Sequence, residues 1–391
     1  MEEWNIIKAY DYCYNVTDGT HDSPKQTEFG KYLITSKHIK DNRIDFESAY
    51  KISEDDYNKI ITRSKVDQWD IIISMIGAYC GFCCIESSKQ TDYAIKNVGL
   101  LKVGNELKCK WLYYYLTSPH GKQQLSKLRS GSSQPYISLG AIRNLDIPVP
   151  NENTMSDIVS VLSSLDSKIE LNRRINDNLE QQVQIMFDQH LVNNTATEFC
   201  RLSDIANINP KRTLSKNTKA RYIEMSDLPT KGSFPSGWKY KEFIGGMKFT
   251  NCDTIMARIT PCLENGKVAY INFLDKGEVA FGSTEYIVIS TKGLYSPEWF
   301  YFLTRNKTFV DYSIKHMNGS SGRQRVSGES IGDFQLPLFS KDSLKPIFSM
   351  AESALKIITR NSLENIELSA IRDSILPKLM SGELKVNDLN N

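Results

Sequence analysis

This 391-residue chain has no long apolar run, and nothing in it approaches the length of a membrane-spanning helix. Histidine is scarce. The five sit at positions 21, 38, 120, 190 and 316, and none belongs to an HExxH zinc motif. There is no GxxxxGKS/T phosphate loop, no GxGxxG turn after a strand and no GxSxG elbow. The Asn/Asp-Pro-Pro-aromatic tetrad of enzymes that methylate base amino groups is missing too. No positive sign of catalysis is left. Excess charge is also lacking: 48 Lys and Arg stand against 46 Asp and Glu, a net of +2. With 40% apolar and 24% charged residues, that balance argues against disorder and for real cores. The opening MEEWNIIKAY is acidic and unlike a signal peptide, and the eight cysteines are scattered. They read as reduced thiols of a cytoplasmic protein. Cys80, Cys83 and Cys84 form CxxCC, but a zinc site needs four ligands, usually as two pairs, and no second pair follows. On a strand pattern they read as small buried apolar groups, so no metal is expected.

What the chain does have is a repeat. GSSQPYISLGAIRNLDIPVP (Gly131 to Pro150) returns as GSSGRQRVSGESIGDFQLPLF (Gly319 to Phe339). Past one inserted residue, Gly322, the copies keep a constant offset of 189: Ile137 falls on Val326, Ser138 on Ser327, Ile142 on Ile331, Ile147 on Leu336 and Pro148 on Pro337. Upstream the match weakens but persists. RYIEMSDL (Arg221 to Leu228) fills the slot of KYLITSKHI, DTIMARIT (Asp253 to Thr260) that of DIIISMIG, and EWFYFLT (Glu298 to Thr304) that of KWLYYYLT. A repeat this long means one frame built twice. Each half reads as mixed α and β. DIIISMIGAYCGFCCI is the most strand-like segment, and WLYYYLTSPHGKQQL reads as a helix ended by Ser-Pro.

Each copy ends in a long helical pattern, Thr154 to Leu191 and Asp342 to Met380. Steps of four and three give Ile158, Leu162, Leu165, Ile169, Asn172, Asn176, Leu179, Val183 and Met186 in the first. Seven of these nine are apolar, the mark of a coiled-coil seam. The second gives Ile347, Ala351, Ala354, Ile358, Asn361, Asn365, Leu368, Arg372 and Ile375. The Asn pair recurs near the middle of both. An Asn in a seam costs stability but fixes register, because it must find a polar partner. Antiparallel packing would bring Asn172 and Asn176 against Asn361 and Asn365. Such a molecule is pseudo-twofold, with a domain at each end of a rod of roughly 55 Å.

The remaining chemistry lies in polar loops. The first Gly-Ser-Ser loop offers Arg129, Ser130, Ser132, Ser133 and Gln134; the second offers Asn318, Ser320, Ser321, Arg323, Gln324 and Arg325. TDGTHDSP (Thr17 to Pro24) offers Asp18, Thr20, His21 and Ser23 on an exposed loop. Arg pairs with guanine edges and Gln or Asn with adenine edges, while Ser holds phosphates. The same residues also fit a capped turn whose polar groups are merely solvated. From Arg201 to Lys267, twelve Lys and Arg face six Asp and Glu, a mild basic bias suited to phosphate contact.

Two variable mixed domains, each closed by a Gly-Ser-Ser motif, an Ile-Pro or Leu-Pro strand and a long helix, resemble the specificity subunit of type I restriction–modification systems. TDGTHDSP followed by KYLITSKHI is similar to the start of that family's first target-recognition domain. LPKLMSGEL (Leu376 to Leu384) is similar to its usual ending. Two departures stand out. The second loop has an extra residue and no Gln after Gly-Ser-Ser, and PNENTMSDIV lacks the glutamine usual before the first helix. The resemblance implies an α+β chain with recognition domains over 1–150 and 193–340, a central conserved helix over 151–192, and a C-terminal conserved helix and tail over 341–391. It implies a non-catalytic reader of bipartite double-stranded DNA that holds no cofactor itself. Two methyltransferase subunits with S-adenosylmethionine would dock on its helices, and restriction/translocase subunits would bring ATP and Mg. DNA contacts are then expected from Thr17, Asp18, Thr20, His21, Ser23, Lys25, the two Gly-Ser-Ser loops, Lys211, Arg212 and Arg258. The alternatives are a recognition chain or scaffold of another methyltransferase-linked phage-defence system, or a stand-alone DNA-modifying enzyme.

Overall fold

The computed structural model describes residues 4–40, 42–131, 134–192, 198–320 and 322–390. The chain is α+β, as the repeat and the helix patterns led us to expect, and divides into two compact units. One comprises 1–167 with 368–391, the other 168–367. Two long helices, Glu152–Val192 and Lys341–Met380, contribute to both. Among the described residues no helix is long and apolar enough to cross a membrane.

In the first unit an antiparallel sheet orders its strands Asn15–Asp18, Val98–Lys102, Asp70–Ser74 and Cys83–Ile85. The run DIIIS is β-branched and wholly buried, as a central strand covered on both faces must be. Cys83 and Cys84 fill the neighbouring strand, and burial pushes the Cys83 thiol up to about 12. A smaller sheet sets Lys31–Thr35 parallel to Tyr93–Lys96, with Lys51–Ile52 on its other side. Asn5–Lys8 pairs with Asp146–Val149. Ser118-Pro119 is a joint rather than an end. Helix Glu106–Thr117 stops there, and Pro119 opens helix Pro119–Lys127, whose Gly121 N–H is capped by Ser118. Proline suits a first helical position because its missing N–H would have no partner there anyway.

The second unit repeats this order. Ala206–Ile208, Tyr286–Thr291, Asp253–Ala257 and Val268–Ile271 make the antiparallel sheet. Lys219–Ile223 runs parallel to Ala280–Gly282 in the smaller one, which gains a fourth strand, and Phe199–Arg201 pairs with Gln335–Pro337. Each central strand opens on a buried aspartate that ties off the preceding turn: Asp70 accepts from the N–H of Asp67, and Asp253 from that of Thr250. Each needs a cation beside it. Asp70 takes Lys102 from the adjacent strand at 2.8 Å; Asp253 takes Arg212 from a loop at 2.7 Å.

Within the second unit the long helices run antiparallel through the Asn pairs. Asn172 Nδ2 donates to Asn365 Oδ1 at 3.0 Å and to Glu364 at 2.7 Å. Asn361 Nδ2 donates to Asn176 Oδ1 at 2.9 Å. Asn172 and Asn361 are almost wholly buried. Within the first unit Ile158 and Leu162 share a core with Leu376 and Leu379. There Arg372 meets Asp166 at 2.7 Å, and Asp166 also accepts from the Tyr114 hydroxyl. In the second unit Tyr301 donates to Glu180 of the first long helix. Toward that helix's end Phe187 is fully buried where the seven-residue count placed Met186.

Candidate nucleic-acid interface

Both Gly-Ser-Ser loops are seated by main chain. In the first, Ser130 and Tyr136 exchange N–H to carbonyl bonds of 2.8 and 2.9 Å, closing a small loop. The Ile137 N–H then donates to Met75 and the Gly77 N–H to Pro135, both at 2.9 Å. In the second, Asn318 and Arg325 exchange bonds of 2.9 Å, Val326 donates to Arg258, and Thr260 donates to Gln324 at 3.0 Å. The buried pair Ile137 and Val326 anchors each loop, and Ser138 and Ser327 cap the short helices that follow. Gly131 and Gly319 both take positive φ at the loop start (83° and 126°), which a side chain would strain. Gly322, the inserted residue, sits inside the second loop, also with positive φ.

These tethers bring each loop to one end of its unit's antiparallel sheet, just past the central strand. In the first unit the 17–25 segment reaches the same end. Thr17 and Asp18, expected on an exposed loop, are buried residues of strand Asn15–Asp18. Gly19 continues the pairing by donating to Val98, and its α-carbon lies so close to the Ile95 carbonyl that a β-carbon would overlap it. The exposed part begins at His21. Its Nδ1 lies 2.9 Å from Asn97 Oδ1 and its Nε2 3.1 Å from Asp18 Oδ2. Asp18 also accepts from Arg63, and Lys96 donates to Ser23. Thr20 is half-buried, Lys25 exposed. Arg129 donates to the Cys80 carbonyl at 2.6 Å, while Gln134 is exposed beside the half-exposed ring of Tyr136.

In the second unit Arg258 and Arg325 gather around Glu285. Arg325 Nε lies 2.9 Å from both carboxylate oxygens, its Nη2 2.8 Å from one, and Arg258 Nε 3.9 Å away. The Glu285 hydrogen bonds hold the Arg325 guanidinium above its ordinary value. Arg323, Asn318 and Ser320 are exposed around them. Arg212 does not join this group. Its guanidinium is spent on Asp253 and Ser290, at the opposite end of the central strand from Arg258, because the buried aspartate needs a counter-charge. Lys211 is exposed. Ser132, Ser133 and Ser321 lie outside the described residues. Arg63, Asn97, Tyr136 and Glu285 were not picked out from the sequence. Arg63, Asn97 and Glu285 meet Asp18, His21 and Arg325 across 45, 76 and 40 residues, so only the fold reveals those pairs.

The doubled sheet, loop and long-helix plan defines a class, and the comparisons agree. The type I restriction modification DNA specificity domain matches residues 1–181. It is similar to the type I restriction enzyme HindI specificity subunit of Haemophilus influenzae, 23% identical over 345 residues (67% of this chain, 74% of that one). It is 24% identical over 188 residues to the MjaVIII specificity subunit of Methanocaldococcus jannaschii (46% of this chain, 43% of that one). The crystal structure of a type I restriction–modification S subunit from M. genitalium superposes with a TM-score of 0.59 at 15% identity, covering 96% of both chains, and shares its fold.

Proposed function

We propose that this chain is the non-catalytic, sequence-reading subunit of a type I restriction–modification assembly, with one domain (1–150, 193–340) reading each half of a split double-stranded DNA target. The observation that carries this reading is the duplicated loop site: the same main-chain tethers at the same end of the same sheet, with different side chains. One frame read twice, with different chemistry each time, is what two unlike half-sites require. The central conserved helix over 151–192 and the C-terminal conserved helix and tail over 341–391 set the unread spacer and dock two methyltransferase subunits. Half-sites one turn of B-DNA apart lie about 34–36 Å from each other, within reach of helices this long. S-adenosylmethionine belongs to those partners, ATP and Mg to restriction subunits, and the work is done in the cytoplasm where the DNA is. Long-read methylation mapping tests this in a host carrying the chain with its partner methyltransferase. A new motif of two defined halves around a fixed gap is expected. No methylation difference, with both proteins present and associated, overturns the reading.

A further inference from the structure

We infer that Arg63 and Arg325 are carboxylate-buttressed guanine readers, one for each half of the target. This rests on the reading above and deepens it. The two units share no sequence at these positions, yet both place an arginine against an acid at the loop-bearing end of the antiparallel sheet. In the first unit Asp18, buried opposite Gly99, accepts from Arg63 at the end of helix Glu54–Ser64. The Arg63 side chain is still 60% exposed. In the second, Glu285 stands just before strand Tyr286–Thr291 and grips the Nε and Nη2 edge of Arg325, while the Arg323 carbonyl takes one Nη1 hydrogen. Hydrogens on Nη1 and Nη2 remain for a ligand.

The pairing decides what kind of ligand. A phosphate is recognised by unbalanced positive charge, and a neighbouring carboxylate cancels that charge. A base edge is recognised by donors at fixed spacing, which the carboxylate does not remove. Guanine presents O6 and N7 side by side, matching two guanidinium N–H groups. The buttress also freezes a long side chain in advance, so less ordering is left for binding. The exposed Lys25, Lys211 and Arg323 suit phosphate contact instead. Glu285 and Asp18 are thus positioning residues. At the place of Glu285 in the first unit stands Asn97, which holds His21, so the two halves differ in what surrounds the reader.

The test uses the full chain with its methyltransferase partner and long-read methylation mapping of wild type, Arg63→Lys, Arg325→Lys and Glu285→Gln. Lysine keeps the positive charge but loses the fork. Arg63→Lys should relax one G·C position in one half, and Arg325→Lys one in the other, each by roughly ten- to hundredfold. The unaltered half serves as an internal check that the chain is folded. Glu285→Gln should relax the same position as Arg325→Lys. Unchanged motifs in both lysine variants, or a uniform drop across all sites, would show these arginines to be surface ion pairs or phosphate contacts and overturn the inference while leaving the split motif standing. A wild-type chain that yields no split motif sinks the two-domain reading and this inference with it.

Discussion

The two units solve one electrostatic problem in two ways. Each needs a buried aspartate at the head of its central strand, Asp70 or Asp253. The first answers with a lysine from within the sheet; burial alone would pull Lys102 down, but Asp67 and Asp70 outweigh it and hold it up. The second answers with Arg212, reaching in from a loop that the sequence had marked for DNA. The frame is kept and the means vary. A basic residue in a recognition domain therefore cannot be assigned to nucleic acid from its type and loop position alone.

The sharpest way to probe that comparison is to remove each cation. Lys102→Met leaves Asp70 buried and alone, and should cost the chain about 3–5 kcal/mol. Arg212→Met should cost less, because the Arg212 side chain is 25% exposed against 11% for Lys102. Urea unfolding measures both. Hydrogen exchange should show the loss of protection confined to the unit concerned, and any DNA defect of Arg212→Met should follow the folded fraction. A DNA defect in a fully folded Arg212→Met chain would restore it to the interface.

Next in size come the Asn pairs. Asn172→Leu leaves Asn365 Oδ1 without its donor and should cost about 1–3 kcal/mol. Replacing Asn172, Asn176, Asn361 and Asn365 together by Leu should recover that stability while loosening register, read as methylated motifs with more than one gap length. A single unchanged gap would show that register is set elsewhere. Smaller again are the caps: Ser138→Ala and Ser327→Ala should each cost about 1 kcal/mol, equally in the two units, since both serines do one job. An unequal result in thermal unfolding would break the equivalence of the loops.

The smallest effect is a pH dependence carried by the second unit. Burial raises the Glu180 carboxyl above its ordinary value near 4.5. The folded chain then keeps a proton that the unfolded chain has released, so this term favours folding at low pH and is lost as pH rises through the raised value. Glu180→Gln has no such term, and its Tm should gain on wild type between pH 4 and pH 8. A constant difference across that range would count against it.

The repeat, the long helices and the facing Asn residues were legible because a 189-residue offset and a seven-residue period are one-dimensional signals. Thr17 and Asp18 misled because TDGT carries turn residues, whereas a strand edge closely approached by another backbone also needs the glycine. Ser118-Pro119 misled for a similar reason: proline signals a helix start as well as a stop. Arg63 with Asp18, and Arg325 with Glu285, left no trace at all. They lie 45 and 40 residues apart, and only the folded sheet brings them together.

The seating of the Gly-Ser-Ser loops has a consequence for descent. Their tethers run from backbone to backbone, from Gly77 to Pro135 and from Thr260 to Gln324. Residues 134, 136, 323 and 325 can be exchanged without touching one of those bonds. On the proposed reading of these loops, a lineage can drift toward a new target one codon at a time, each intermediate still holding its loop in place. Novelty in what is read is separated from risk to what folds.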